Sequence, residues 1–346
     1  TLTAADDVDA GATGAGGGFT SPGPVAIALP DPFDHDIRFS TSRTYQPALP
    51  GDRTFDGITN TVLEAADGAR PYVLFRPDGA TLDITFAAAA PGAGETRTLT
   101  IDGVWLGLMA DTVVPEIVAP AAAAAPITAR IILRGDFDRV SLRNLTLDPG
   151  GERARNVATE AVAIPYVRLE IEGQVSHLEI TRCITGPIVE TEADADLCNA
   201  GTIEICDSLV QSIAHEPAIV TRLGQVMLTR STVLGDVEVA RLYASDSVVD
   251  GRIRVTDNQN GCLRYSATGD AAGTAVLPPQ FECLVVAGSL PSHWIASRRF
   301  GSAWYGALSG TAPESILRGG SNGAEMGVFN GRGLAILLDD LAAQVT

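Results

Sequence analysis

The sequence predicts an all-β chain whose backbone winds in stacked coils, a parallel β-helix with loop insertions and a short C-terminal helical cap. Three observations predict it: a recurring phrase, strict alternation inside that phrase, and a composition poor in aromatics but rich in small and branched aliphatic residues. The phrase reads HLEITRCITG (177–186), TIEICDSLVQ (202–211), VMLTRSTVLG (226–235) and RLYASDSVVDG (241–251). Weaker copies are VSLRNLTLDPG (140–150) and TLTIDGVWLG (98–107). Anchored on the central residue, the copies give Val104, Leu145, Cys183, Ser208, Ser231 and Ser247, with spacings of 41, 38, 25, 23 and 16 residues. A drifting period of about two dozen residues, built from strands and tight turns, marks a stack of repeats. An antiparallel sandwich is the competing architecture, but strands with different neighbours have no reason to repeat one phrase.

Alternation sends Leu178 and Ile180, Ile203 and Ile205, Val226 and Leu228 to one face, which must be interior. The small anchor residue then sits at a bend where a bulky side chain is not expected to fit. The residue before each anchor reads Asn144, Arg182, Asp207, Arg230 and Asp246. If these point outward, coils stacked about 4.8 Å apart bring opposite charges side by side. Arg182, Asp207, Arg230 and Asp246 then form a structural ladder contributing about 0.2–1 kcal/mol per pair.

At 346 residues the chain can bury one large core or two ordinary ones. Its net charge is −18, and all 24 basic residues are Arg. That balance argues against nucleic acid, which needs a basic footprint, and against charge-driven binding to an anionic membrane. No apolar run reaches the roughly 18–20 residues of a membrane span. The longest, 117–133, is broken by Pro120, Pro126 and Arg130. The chain opens at Thr1 without Met or a signal-peptide pattern, which reads as a mature or partial product. Five cysteines form no C-x-x-C pair; Cys183 fits an inward slot, and Cys262 to Cys283 is the one bridge worth weighing. The four histidines are isolated, so no metal site and no cofactor is expected.

Taken in order, residues 1–35 are rich in Gly, Ala, Asp and Pro and read as an extended or flexible entry segment. The β-helix follows over 36–290. Its irregular first coils take DIRFSTSRTYQP (36–47), PYVLFRP (71–77), ATLDITFAAA (80–89) and RTLTIDGVWLGL (97–108) as strands. The Ala/Pro-rich stretch 115–128 is a loop thrown out of one coil. A second insert, 189–201, carries Glu190, Glu192, Asp194 and Asp196. It lacks the ligand spacing of a Ca²⁺ loop and reads as a solvated loop. The repeat is expected to stop after 252–269, with LPPQFECLVV (277–286) as a last strand.

Residues 291–346 form a C-terminal aromatic loop and short helix. Trp294, Phe300, Trp304 and Tyr305, with Arg298 and Arg299, are the densest aromatic cluster. They are expected either to anchor an interface or to cap the open end of the stack. The end, 333–345, has apolar residues at helical spacing.

Three segments carry a resemblance: GDFDRVSLRNLTLDPGG (135–151), RLYASDSVVDGRIRVTDNQNGCLRYSA (241–267), and SRRFGSAWYGALSG (297–310) with GGSNGAEMGVFN (319–330). Over roughly 90–346 the chain resembles a family of bacterial right-handed parallel β-helix proteins encoded near baseplate genes of phage-tail-like contractile injection systems. The NGCLRYS and GAEMG phrases are the more specific parts. The resemblance implies right-handed coils, assembly in the cytoplasm into a tail-like particle that is released or membrane-attached, and other particle proteins or further copies of the chain as partners. It brings no catalytic residues. Relatives continue after the GAEMG phrase into a longer Arg-rich helix, whereas this chain has only NGRGLAILLDDLAAQVT (330–346).

Parallel β-helices also host glycan hydrolases and lyases, so an enzyme must be weighed. Glycoside hydrolysis needs two carboxylates about 5–9.5 Å apart. Asp207, Asp246, Asp236 and Asp250 are the candidates. Asp207 and Asp246 alternate with Arg182 and Arg230, and Asp236 and Asp250 resemble turn acids. His177 and His215 have no obvious acidic partner, and no phosphate loop or nucleophile elbow is present. The leading expectation is a non-enzymatic structural or adaptor component of a contractile particle. The alternatives are a surface-glycan hydrolase or lyase, which would bind glycan, and an adhesin-like surface protein.

Overall fold

The structure, a computed structural model, describes residues 25–27, 36–47, 50–78, 81–90, 92, 94–108, 128–150, 152–154, 161–163, 166–191, 200–212, 217–270 and 273–332. It is nearly all β, 54% strand against 5% helix, and among the described residues no helical layer covers a sheet.

The strands lie in three columns, and the chain visits them in a fixed order. The first column holds ten strands, from Ile37–Phe39 through Asp136–Arg143, Gln174–Thr181, Ala200–Cys206, Gln225–Thr229 and Arg241–Ser245 to Gln280–Phe281. From each of the central strands the chain bends into a second column, as at Thr146–Leu147, Ile184–Thr185, Leu209–Gln211 and Thr232–Leu234. It then enters a third, as at Tyr166–Ile171, Ile188–Glu190, Ile219–Val220 and Val237–Val239, before returning to the first. Val248–Val255 runs round one corner without a break and serves both the second and third columns. Pairing within each column is parallel, so every pass of the chain bonds to the pass before and the pass after. A small antiparallel hairpin, Glu152–Ala154 with Ala161–Ala163, leaves the columns between two strands.

Alternation produces the core. Leu99, Val140, Leu178, Ile203, Val226 and Leu242 stand in register across six strands, and Ile101, Leu142, Ile180, Ile205, Leu228, Ala244 and Leu263 form the next row inward. All are buried, as the repeat predicts. Each large aliphatic side chain in these rows contributes about 1.5–3 kcal/mol relative to exposure.

Several expectations need correction. The repeat continues past 269: the last strand expected over 277–286 is two strands, Gln280–Phe281 extending the first column and Leu284–Ala287 the second. It also includes Arg53–Ile58 and Asn60–Ala65, which the phrase did not pick out. Ile37–Phe39 and Thr44–Pro47 are two strands rather than one. In the entry segment Val25–Ile27 pairs in parallel with Thr44–Pro47. The rest of 1–35, nearly all of 115–128, Glu192, Asp194, Asp196, Cys198, His215 and the helix expected over 333–345 lie outside the described residues.

The aromatic tail caps neither end. Residues 290–328 lie along the outer face of the second column, where Leu290, Ile295, Tyr305, Leu308, Ile316 and Met326 form a second core with Ile184, Leu209, Val248, Ala267 and Leu284. Phe300 meets Trp105 edge-on at 5.7 Å, far from the last pass.

Candidate functional site

The bend between the first and second columns is the most constrained feature of the fold. Asn144, Arg182, Asp207, Arg230, Asp246, Tyr265 and Glu282 occupy it in seven successive passes, all with φ between 47° and 55°. This left-handed region costs a residue with a Cβ about 1–2 kcal/mol, and only Asn and Asp visit it readily. Immediately after it come the anchors. Val104 and Leu145 are bulky yet 1% exposed, so size does not explain the smaller residues that follow.

Hydrogen bonding does explain them. The hydroxyl of Ser208 accepts the N–H of Cys183 at 2.9 Å and donates to the carbonyl of Cys206 at 2.7 Å. Ser231 accepts from Ser208, Ser247 from Ser231 and Ser266 from Ser247, at 3.1–3.2 Å, and each donates to the carbonyl two residues back. Cys183 and Cys283 stand at equivalent places, their thiols donating to the carbonyls of Thr181 and Phe281 two residues back at 3.3 and 3.2 Å. Five stacked anchors, Cys183, Ser208, Ser231, Ser247 and Ser266, are thus tied by four side-chain rungs. Burial pushes the Cys183 thiol up to about 12, which keeps it from acting as a nucleophile. Cys262 and Cys283 are both free thiols, so the bridge weighed between them is not formed.

The predicted charge ladder exists only in its middle. Arg230 grips Asp207 with two bonds, at 2.6 and 2.8 Å, and holds that carboxyl below its usual range. Asp246 is buried and does not bond Arg230; it accepts the N–H of Ser321 at 2.6 Å and the hydroxyl of Ser245 at 2.7 Å. The flank segment has displaced the arginine. Arg182 makes no ion pair among the described residues.

Of the four acids weighed for glycan chemistry, the structure brings together Asp236 and Asp250. They line a cleft of about 560 Å³ with Glu238, Arg252 and Arg298, between neighbouring passes and the flank segment. Asp236 accepts from the Arg252 backbone at 2.8 Å and its guanidinium at 3.0 Å, and Glu238 lies 3.5 Å from the same guanidinium. Asp250 is buried and pairs with Arg298. Each of these acids is therefore ion-paired with an arginine, Asp236 and Glu238 with Arg252 and Asp250 with Arg298. Asp207 and Asp246 line other surfaces.

The tail residues singled out for an interface mostly serve the chain itself. Arg298 pairs with Asp250; Tyr305 is buried and donates its hydroxyl to Gln211; Phe300 meets Trp105 and Tyr305 edge-on; Trp294 packs into the second core. Arg299 is exposed, as is Trp304 at 47%. His177 does have an acidic neighbour: its Nε2 lies 3.6 Å from Glu204 on the adjacent strand. Glu190, read as part of a solvated loop, is buried and ties the insert shut by accepting the N–H groups of Ala200 and Arg222 at 2.8 and 2.7 Å.

Sequence reasoning missed the outward ion-pair clusters, such as Arg130 between Asp83 and Glu170, and Glu179 between Arg139 and Arg143. Their signal was the all-Arg composition, since the planar guanidinium bridges two carboxylates where an ammonium would not. Among the described residues no three metal-ligating side chains converge, and no helix is long and apolar enough to cross a membrane. No family model, curated protein or solved structure matches the chain.

Proposed function

We propose that this chain is a structural or adaptor protein without catalytic activity, a right-handed parallel β-helix used as a rigid spacer and docking surface on a phage-tail-like contractile particle. One observation supports the non-catalytic part: Asp207, Asp236 and Asp250, the acids best placed for chemistry, are each bound by a partner arginine. A glycosidase needs one carboxyl free to give a proton and another free to attack or to activate water, and an arginine already occupies each of these three. The fixed order of the three columns supports continuous coils, and the right-handed sense agrees with the general bias of parallel connections. The particle itself enters through the resemblance of 90–346. The test is purification of particles from the source bacterium: the protein should travel with sheath and tube at fixed ratio. Its absence from intact particles would overturn the assignment.

A second reading, handling of a surface glycan, is favoured by one feature, the cleft that unites Asp236, Glu238 and Asp250. It requires oligosaccharide cleavage that Asp250→Asn abolishes while the variant stays folded.

A further inference from the structure

On a chain of net charge −18, many of the described arginines are held by carboxylates. Arg130, Arg139, Arg143, Arg230, Arg252 and Arg298 all lie within ion-pair distance of carboxylates. Arg70, Arg182 and Arg332 do not, among the described residues, and these three line one groove of about 570 Å³. Asp207 also lines it, but Arg230 already neutralises that carboxylate through two bonds. Asp102, beside the Gly103 position of the stack, accepts the Asn144 amide at 2.7 Å and stands in the field of Arg143. The groove is therefore a local excess of positive charge on an acidic surface.

Its shape follows from the bend stack. Backbone bonds place the Arg70, Gly103, Asn144, Arg182 and Asp207 positions one above another, since Trp105, Thr146, Ile184 and Leu209 each bond the anchor carbonyl of the pass before. Four steps of about 4.8 Å make a trough about 19 Å long, enough for about six residues of extended chain at about 3.3 Å each. Gly103 and the short Asn144 leave room between the two outer arginines. The wall is apolar: Leu209, Val328 and Phe329 line the same groove, and the Arg332 guanidinium lies 5.7 Å from the Phe329 ring centre.

We propose that this groove is the docking site for an extended acidic peptide segment of a partner protein, with carboxylates on Arg70, Arg182 and Arg332 and apolar side chains on the Phe329 wall. A free phosphate would leave that wall unused, and a nucleic acid would meet the repulsion of the whole chain. The assignment rests on the docking-surface reading above and names what docks.

The test is fluorescence anisotropy on the full chain with a labelled decapeptide of alternating Asp and Leu, against the same peptide with Lys for Asp. The acidic peptide should bind, weaken as salt rises, and lose about tenfold in affinity in Arg182→Glu and in Arg70→Glu. Arg182→Gln should fall between, and Arg254→Glu, outside the groove, should bind as wild type. Equal binding of the Lys peptide, or no loss in the Arg182 variants, overturns the proposal. So does an oligogalacturonate that binds where the peptide does not, or a dimer of the chain that Arg182→Glu dissolves. Failure here with intact co-purification in particles would remove the groove assignment alone.

Discussion

Ser231 shows how much one small side chain does in this fold. Its hydroxyl donates to the Thr229 carbonyl at 2.9 Å and accepts the buried N–H of Ser208 at 3.2 Å. In Ser231→Ala that N–H has no acceptor, and a buried unpaired donor costs about 1–3 kcal/mol. The urea midpoint should fall accordingly, whereas Ser231→Cys should recover part of the loss, because Cys183 and Cys283 fit equivalent places with their thiols on the carbonyl two residues back. An alanine variant as stable as wild type would show the rungs to be incidental. The anchors were legible in the sequence as small residues at a regular place. Their chemistry was not, because a side chain that bonds the next pass 16–25 residues away looks locally like a turn residue.

At the scale of an element, the flank segment stands out because it buries a carboxyl with nothing to receive it. Glu325 is 1% exposed, its Oε1 has no hydrogen-bond partner among the described residues, and burial pushes its pKa up to about 7. A carboxyl raised on folding favours the folded state while protonated in both states, and that contribution fades as pH rises through the folded value. Docking of the segment should therefore weaken from about pH 4.5 to 7, by about 3 kcal/mol in all. Glu325→Gln should melt higher than wild type at pH 8 and with it at pH 4, read by thermal scans at both. Equal melting at pH 8 would place the carboxyl in water. The GAEMG phrase was conspicuous in the sequence, but whether its Glu lay on a surface or beneath one depended on a second column far away in the chain.

At the scale of the whole molecule, stability is a sum over neighbouring passes, with most pairing contacts between strands adjacent in the stack. Amides of the central strands, such as Ile203, Ile205, Val226 and Leu228, have a pass on either side, whereas Gln280–Phe281 has one neighbour. Hydrogen exchange should be slowest in the centre and fastest at the two ends. Uniform protection along the stack would mean that the molecule opens only as one unit.

The two-residue alternation of Leu178, Ile180, Ile203 and Ile205 and the recurrence of one phrase were enough, by themselves, to determine a β chain with these rows turned inward. Side-chain alternation is a local property of extended backbone, so it survives any uncertainty about partners. The tertiary structure alone decided the rest. It put Arg, Tyr and Glu into a left-handed bend that their side chains do not favour, because each pass must turn where its neighbour turns. It also gave Asp246 to Ser321 instead of Arg230, and laid the aromatic tail along a flank instead of over an end. Such choices turn on contacts between segments many tens of residues apart, and no local pattern carries them.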